Sequence, residues 1–468
     1  MTMNMKKYIG DRKFYRKILI IAVPIMVQNG VSNFVGLLDN LMIGRVGTNA
    51  LSGVAIANQL IFVFYLLIFG ATAGVGIFTA QYHGCKDTEG VRNSFRCKIV
   101  TNTLLCIASI AVYALFDRQL IGSFLEGEGN PADAAETLAI GLDYLRIMLI
   151  ALIPIGWANA YSGTLRDTGQ TRVPMVASVI AIFVNLIGNA LLIYGFFGLP
   201  ALGATGAAIA TVLSRFVELA VLMIYTATHR EAHPFIVGAF ATMKIPRRQA
   251  VRFVLKSLPL MANETLWALG QTIMNQCYSF RSLDAVAALN INSTIWNLFG
   301  VAFLAMGEAV GIVVGQILGR GEMEKAKDHA RKMIAFTFAL GTVFGILMVV
   351  VSPFFPLLYK TSQSVRQMAT GVILISGVFM PLCAYMHASY FTLRAGGNTL
   401  VTFLFDSCYV WVVSVPAAFL LAHETGLSVL WMLFIVQALD LIKCLIGGAM
   451  VRSGVWAKNL TGDAEKKE

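Results

Sequence analysis

Charge is what this sequence has least of. Asp, Glu, Lys and Arg make up 13% of its 468 residues, about half of the roughly 25% carried by a soluble domain, which excludes a chain folded mainly in water. No GxxxxGK[ST] phosphate loop occurs and no segment is large enough for a soluble nucleotide-binding domain. ATP is therefore excluded as an energy source unless a separate subunit supplies it, and an ion gradient is the default. No HExxH, Ser/His dyad or paired Asp stands at helical spacing, which argues against an intramembrane enzyme. Cys85, Cys97, Cys106, Cys277, Cys383, Cys408 and Cys444 include no CxxC pair and read as small hydrophobes, not as a disulfide framework or metal site. The first apolar run is too long for the core of a signal peptide, so no cleavage is expected.

What the chain has is hydrophobic length: 57% of its residues are hydrophobic and the mean hydropathy is +0.71. Apolar windows fall near 17–43, 50–82, 94–117, 138–160, 173–196 and 203–227, then near 252–279, 285–317, 332–357, 366–393, 400–422 and 427–450. Each can cross a bilayer as a helix at about 1.5 Å per residue. The expected fold is an all-α membrane protein of twelve transmembrane helices. A six-helix N-terminal bundle covers 1–230, a cytoplasmic linker 231–251, a six-helix C-terminal bundle 252–455 and a polar tail 456–468.

A net charge of +11 would ordinarily raise the question of nucleic acid. Yet 28 of the 36 Lys and Arg fall in the two tails and the even-numbered connections, so the surplus is a topology signal that places both ends in the cytoplasm. The longest external connection, from Asp117 to about Thr137, is acidic by contrast, with Glu126, Glu128, Asp133 and Glu136.

The chain also repeats itself. Val75-Gly76-Ile77, Gln81, Gly84, Glu89, Arg92 and Arg96 are matched 235 residues later by Val310-Gly311-Ile312, Gln316, Gly319, Glu324, Lys327 and Arg331. Pro24 and Pro259 keep that offset, while Thr164-Leu165-Arg166 and Thr392-Leu393-Arg394 stand 228 apart. A duplicated half of a membrane protein, packed around a central site, is the usual build of a secondary transporter.

Several stretches carry a family likeness. Pro24 with Asp39-Asn40-Leu41-Met42-Ile43-Gly44-Arg45-Val46-Gly47 resembles the opening helix of MATE (multidrug and toxic compound extrusion) transporters. Gln81, Gly84, Glu89 and Arg92, the run from Leu165 to Pro174, Asn185 with Asn189, Gly195 to Gly203, Gly206 to Thr211 and Leu393 to Thr399 resemble further family segments in the same order. The resemblance covers essentially the whole chain. It implies two pseudo-symmetric six-helix bundles forming a V-shaped central cavity, alternating access, and export of organic, usually cationic, compounds in exchange for H⁺ or Na⁺. It also implies no cofactor, a multi-pass place in the plasma (inner) membrane and a monomer in the lipid bilayer, with no nucleic-acid partner.

Asp39 is the strongest candidate for ion coupling. A charge at mid-membrane costs roughly 2.5–3.5 kcal/mol on insertion scales, so it should face a cavity or a partner. Carboxyl groups taken out of water hold their proton more tightly, which suits exchange near neutral pH. Asn185 and Asn189, four apart, share one face of the fifth helix, and Thr211 and Asn33 join them as weaker members. In the family that face points at the first-helix acid. Many proton-coupled members carry a second carboxylate where Asn189 stands, so here Asp39 is left as the one proton carrier of this half, or the neutral oxygens suit Na⁺.

Glu264 on the seventh helix is a candidate for substrate or a second cation. Some Na⁺-coupled relatives pair an acid on this helix with an Asp on the tenth. Here Glu264 sits about one turn nearer Pro259 than that acid and Cys383 takes the tenth-helix place, so that site is only half present and displaced. Trp296, Tyr65 and Met274 are candidates for cavity lining, since flat rings and flexible thioethers suit varied organic cations. Pro24 is a candidate hinge because its bend would alter the surroundings of Asp39. Arg215 with Glu218 and Asp440 with Lys443 stand i, i+3 and can neutralise each other, with Asp406 near the second pair by topology. The alternative function is a flippase of a lipid-linked oligosaccharide or other amphiphile, which would want a basic stripe; the chain offers mid-span Arg146 and Arg215 only.

Overall fold

The computed structural model describes residues 7–125, 130–198, 200–280 and 282–462; Glu126 to Gly129 of the acidic loop and the tail from Asp463 onward lie outside the described residues. Twelve long helices make up the described chain, with no strand among them. They are α1 Arg12–Gly44, α2 Thr48–Gly84, α3 Thr88–Gly122, α4 Pro131–Asp167, α5 Arg172–Tyr194 and α6 Gly203–Thr228. After the connection come α7 Arg247–Ser279, α8 Leu283–Gly319, α9 Met323–Val351, α10 Gln363–Ala395, α11 Thr399–Glu424 and α12 Val429–Ser453. Eleven of the twelve are long and apolar enough to cross a membrane. The exception is α7, whose Asn263, Glu264, Gln271, Asn275 and Gln276 dilute its apolar character.

Local chemistry sets several of the ends. Pro131 occupies the first turn of α4, where its missing N–H costs nothing, and the Asn130 side chain accepts from the Ala132 N–H. Ser282 and Ser362 accept in the same way at the starts of α8 and α10. Gly195 and Gly454 close α5 and α12 in the left-handed conformation that glycine takes without strain. The backbone of α11 widens into π-helical turns over Leu404–Cys408 and Val410–Ser414, just before Pro416, which has no N–H to donate.

The chain divides into two compact units. One holds residues 27–79 and 88–257, the other 1–26, 80–87 and 258–468. α1 and α7 are both divided, each within two residues of Pro24 or Pro259. In the first unit the core is built on Phe64, Ile68, Leu145, Leu152 and Ala208. Arg96 of α3 donates to the carbonyls of Gly238 and Ala239, both at 2.9 Å, and so fixes the long connection before α7. In the second unit one core gathers Ile25, Met306, Val314 and Met333, and another Met274, Ile291, Val372 and Met432. Large apolar side chains such as Leu104, Ile187, Val412 and Leu445 lie exposed on helix faces, as expected of surfaces turned to lipid.

The repeated sequence motif has a physical reason within the second unit. Gly84 lies where a Cβ would strike the Gln316 carbonyl, and Gly319 where one would strike the Gln81 carbonyl, a reciprocal close approach. Gln81 donates to the carbonyls of Ala395 at 3.0 Å and Lys458 at 3.2 Å, and accepts from the Leu460 N–H at 2.7 Å. Glu89 with Arg92 and Glu324 with Lys327 form matching i, i+3 ion pairs. We predict that Gly84→Ala and Gly319→Ala each lower stability by about 1–3 kcal/mol, because backbone must move. Gly122→Ala, whose new methyl meets nothing within 4 Å, is the control, and melting in detergent reads all three.

Candidate functional site

Asp39 lies on α1 five residues before its end, and its surroundings come from α5, α6 and α4. Asn189 Nδ2 donates to Asp39 Oδ1 at 2.6 Å and to Asn185 Oδ1 at 3.2 Å. The Asn185 amide has two senses, of which the second pairs both its oxygen and its nitrogen. In one its Nδ2 donates to Thr211 Oγ1 at 3.1 Å; in the other it donates to both Asp39 oxygens, at 3.1 and 3.3 Å, and accepts from Thr211. Asn185 and Asn189 are 6% and 1% exposed, so the carboxylate is held by amides that water scarcely reaches. The buried Tyr144 of α4 lies within electrostatic reach of Asp39 and donates to Asn58 of α2 at 3.3 Å. Arg215 of α6 is also within electrostatic reach of Asp39. The four residues expected to form the ion-coupling cluster are thus together; Asn33, on the same helix as Asp39, is exposed.

Below this cluster, within the same unit, runs a second polar chain that the sequence did not suggest. Arg166 Nη2 donates to Gln28 Oε1 at 2.7 Å, Gln28 Nε2 to Ser178 Oγ at 2.6 Å, and Ser178 Oγ to Glu218 Oε1 at 2.6 Å. Arg215 Nη1 closes it on Glu218 Oε2 at 2.9 Å. Ser178 precedes Asn185 by two helical turns, and Thr211 precedes Glu218 by two, so both clusters lie on the same faces of α5 and α6. Two further ion pairs lie within this unit. Lys98, fully buried, bonds Asp167 at 2.7 Å, and Arg146 bonds Asp117 at 2.8 Å.

The other unit holds its own cluster. Lys443 of α12, 7% exposed, donates to Asp406 Oδ1 at 2.6 Å. Asn263 of α7 donates to Asp406 Oδ2 at 3.0 Å and lies 3.3 Å from the Tyr390 hydroxyl. The Lys443 ammonium also sits 5.5 Å from the Phe405 ring centre and 5.9 Å from that of Tyr409. So the hydrogen-bonded partner of Lys443 is Asp406, and Asp440 remains within electrostatic reach. The π-helical turn holds both Asp406 and Ser407, and both bond Asn263, whose Oδ1 accepts from Ser407 Oγ at 2.8 Å.

Glu264 is partly buried, within electrostatic reach of Arg394 and Asp406. Cys383 packs at the edge of the same core as Met274, which is 7% exposed. Trp296 meets Phe303 edge-on at 5.9 Å. Tyr65 packs in the other unit, beside Phe64 and within electrostatic reach of Arg215. Among the described residues no three His, Cys, Asp or Glu side chains converge as metal ligands.

Long apolar helices in a duplicated arrangement, with polar clusters enclosed inside each unit, define a multi-pass membrane transporter rather than an enzyme. The MatE family model matches residues 24–191 and again 259–420, beginning each time at the repeated proline, and the chain belongs to that family. It is 24% identical over 417 residues to "Probable multidrug resistance protein YoeA" of Bacillus subtilis, covering 89% of each chain. It is also 24% identical over 453 residues to "Probable multidrug resistance protein NorM" of Thermotoga maritima, covering 95% of this chain and 93% of that one. Its fold superposes with a TM-score of 0.83 on an outward-facing multidrug resistance MATE family transporter of the MOP superfamily. That structure is 19% identical, with 97% and 99% of the two chains covered.

The Asp39–Asn189 contact carries a prediction of its own. Asn189→Leu removes a buried donor from a carboxylate, and we predict a stability loss of about 1–3 kcal/mol by detergent melting. Combining it with Asp39→Asn should cost less than the two single losses added together. Simple additivity would show that the two side chains are not coupled.

Proposed function

We propose that this protein is a secondary active multidrug efflux antiporter of the inner membrane. It exports small organic, mainly cationic, compounds by alternating access in exchange for an ion, with both termini in the cytoplasm. The observation that carries the reading is the contrast between Asp39 and the carboxylates that are bonded to enclosed cations. Lys98, Arg215 and Lys443 are each bonded to a carboxylate, whereas the bonded partners of Asp39 are neutral amides. A carboxylate held by neutral donors can take up and give back a cation without first breaking an ion pair.

Of the two coupling ions, H⁺ is favoured over Na⁺. Asn189 turns its N–H toward Asp39, while its buried Oδ1 has no hydrogen-bond partner. A Na⁺ ion wants oxygens around it, so this amide would have to turn over, whereas a proton needs only one carboxylate oxygen. Names of the curated relatives, both multidrug resistance proteins, support the substrate class. The flippase reading loses ground because Arg146 and Arg215, its two candidate anion contacts, are committed to Asp117 and Glu218.

Proteoliposomes loaded with a fluorescent organic cation test this. Under a pH gradient we expect export that falls by about 10²-fold or more in Asp39→Asn, since the ion carrier itself is lost. Export driven by a Na⁺ gradient alone would move the coupling ion to Na⁺. Absence of cation movement under either gradient would sink the antiporter reading.

A further inference from the structure

The internal duplication distinguishes machinery common to both repeats from machinery special to one. Gln28 and Asn263 stand 235 apart, the offset of Pro24 and Pro259, and each follows its proline by four residues. Ser178 and Asp406 stand 228 apart, as do Arg215 and Lys443, the offset carried by Arg166 and Arg394. In each repeat, then, an amide one turn beyond the proline bonds a polar residue on the fifth helix, beside a cation on the sixth. The contacts are Gln28 to Ser178 at 2.6 Å, and Asn263 to Asp406 at 3.0 Å. The cations close on a carboxylate at 2.9 Å in Arg215–Glu218 and at 2.6 Å in Lys443–Asp406.

The carboxylate has changed helix between the repeats. It is on α6 in the first, where the second repeat has Ile446 opposite Glu218, and on α11 in the second, where the first has Ser178 opposite Asp406. Simple copying would have kept it in place. An ion pair rebuilt from different residues at an equivalent position answers a requirement of that position. Net stability is a poor account of the requirement, since desolvation offsets most of what a buried pair gains. The Asp39 cluster behaves in the opposite way: Asp39, Asn185 and Asn189 fall opposite Met274, Val413 and Ala417. No acidic residue lies between Thr265 and Ser279, and none lies between Cys408 and Leu421.

We propose that Gln28–Ser178–Glu218–Arg215 and Asn263–Asp406–Lys443 are equivalent ion-pair clasps. Each holds the helix segment beyond its proline against the fifth and sixth helices of its own unit. They are positioning residues for the conformational cycle in both repeats, whereas the Asp39 cluster belongs to the first repeat alone. The prolines make such a clasp necessary, because each interrupts its helix ladder within two residues of the point where α1 or α7 passes from one compact unit to the other. The clasp fixes the first turn after that weak point. Only the turnover part of its test rests on the antiporter reading.

The experiment uses the full chain in lipid nanodiscs, with hydrogen exchange followed in peptides covering residues 25–36 and 260–271. Glu218→Gln should speed exchange after Pro24, and Lys443→Met should speed it after Pro259, each by about tenfold or more and each confined to its own repeat. In proteoliposomes both variants should lower turnover per folded molecule about tenfold with KM for the dye within about twofold, and both should keep the dependence on the ion gradient that Asp39→Asn loses. Asp406→Lys combined with Lys443→Asp, which reverses the pair but keeps it, should recover much of the protection in 260–271. Unchanged exchange in both segments would overturn the proposal, as would acceleration spread evenly over all helices of a unit. Loss of gradient dependence in Glu218→Gln would also overturn it, by making Glu218 part of the coupling site. If no dye moves under any gradient, the antiporter reading fails while the exchange measurements still decide the clasps.

Discussion

The structure depends on the cost of holding charge away from water. A side chain charged at mid-membrane is tolerated only with a partner or a wet cavity, and leaving one member of a buried pair alone costs about 3–5 kcal/mol. Three enclosed cations have their carboxylates: Asp167 for Lys98, Glu218 for Arg215 and Asp406 for Lys443. These pairs join neighbouring helices or brace one helix against the next, and so they fix which faces can meet. Helix packing in lipid has little hydrophobic driving force of its own, which leaves such polar ties and close backbone approaches to specify the arrangement. The reciprocal fit of Gly84 and Gly319 against opposing carbonyls is the apolar counterpart of the same constraint.

Much of this was legible from the chain. Twelve apolar windows became twelve helices because a bilayer leaves the backbone few alternatives, and the sequence repeat became a repeated family match. Asn185 and Asn189 share a face as their i, i+4 spacing required, and Asp39 meets that face as the family resemblance implied, with Thr211 beside them. The pairing of Arg215 with Glu218 could be read from i, i+3 spacing because both residues lie on one regular helix. Lys443 has an equally good local option in Asp440, yet bonds Asp406. Asp440 and Lys443 lie on one regular helix, so spacing allowed their pair, but the carboxylate that wins comes from α11, which i, i+3 spacing within α12 cannot see.

Gln28 and Ser178 were illegible for a different reason. Their partners stand 150 residues apart in the chain, and neither residue type is unusual in a membrane helix. A signal did exist in the duplication. Gln28 and Asn263 occupy equivalent places after equivalent prolines, and an amide retained at both would have singled them out. Glu264 drew attention by its charge, while its neighbour Asn263 makes the contacts that organise the cluster.

Duplication therefore does more than supply two similar bundles. Two copies of one scaffold face the same folding and bending problem, so whatever solves that problem should survive in both, even when substitutions move the charges from helix to helix. A site that senses an ion is under no such symmetry. One copy is enough to bias a two-state cycle, since the ion need only bind one state more tightly than the other. A second copy would add a further proton or Na⁺ to each turnover. The polar Asp39 cluster, set against Met274, Val413 and Ala417 in the other repeat, fits that logic. A coupling site confined to one half, as proposed above, would leave the mechanical task intact in both.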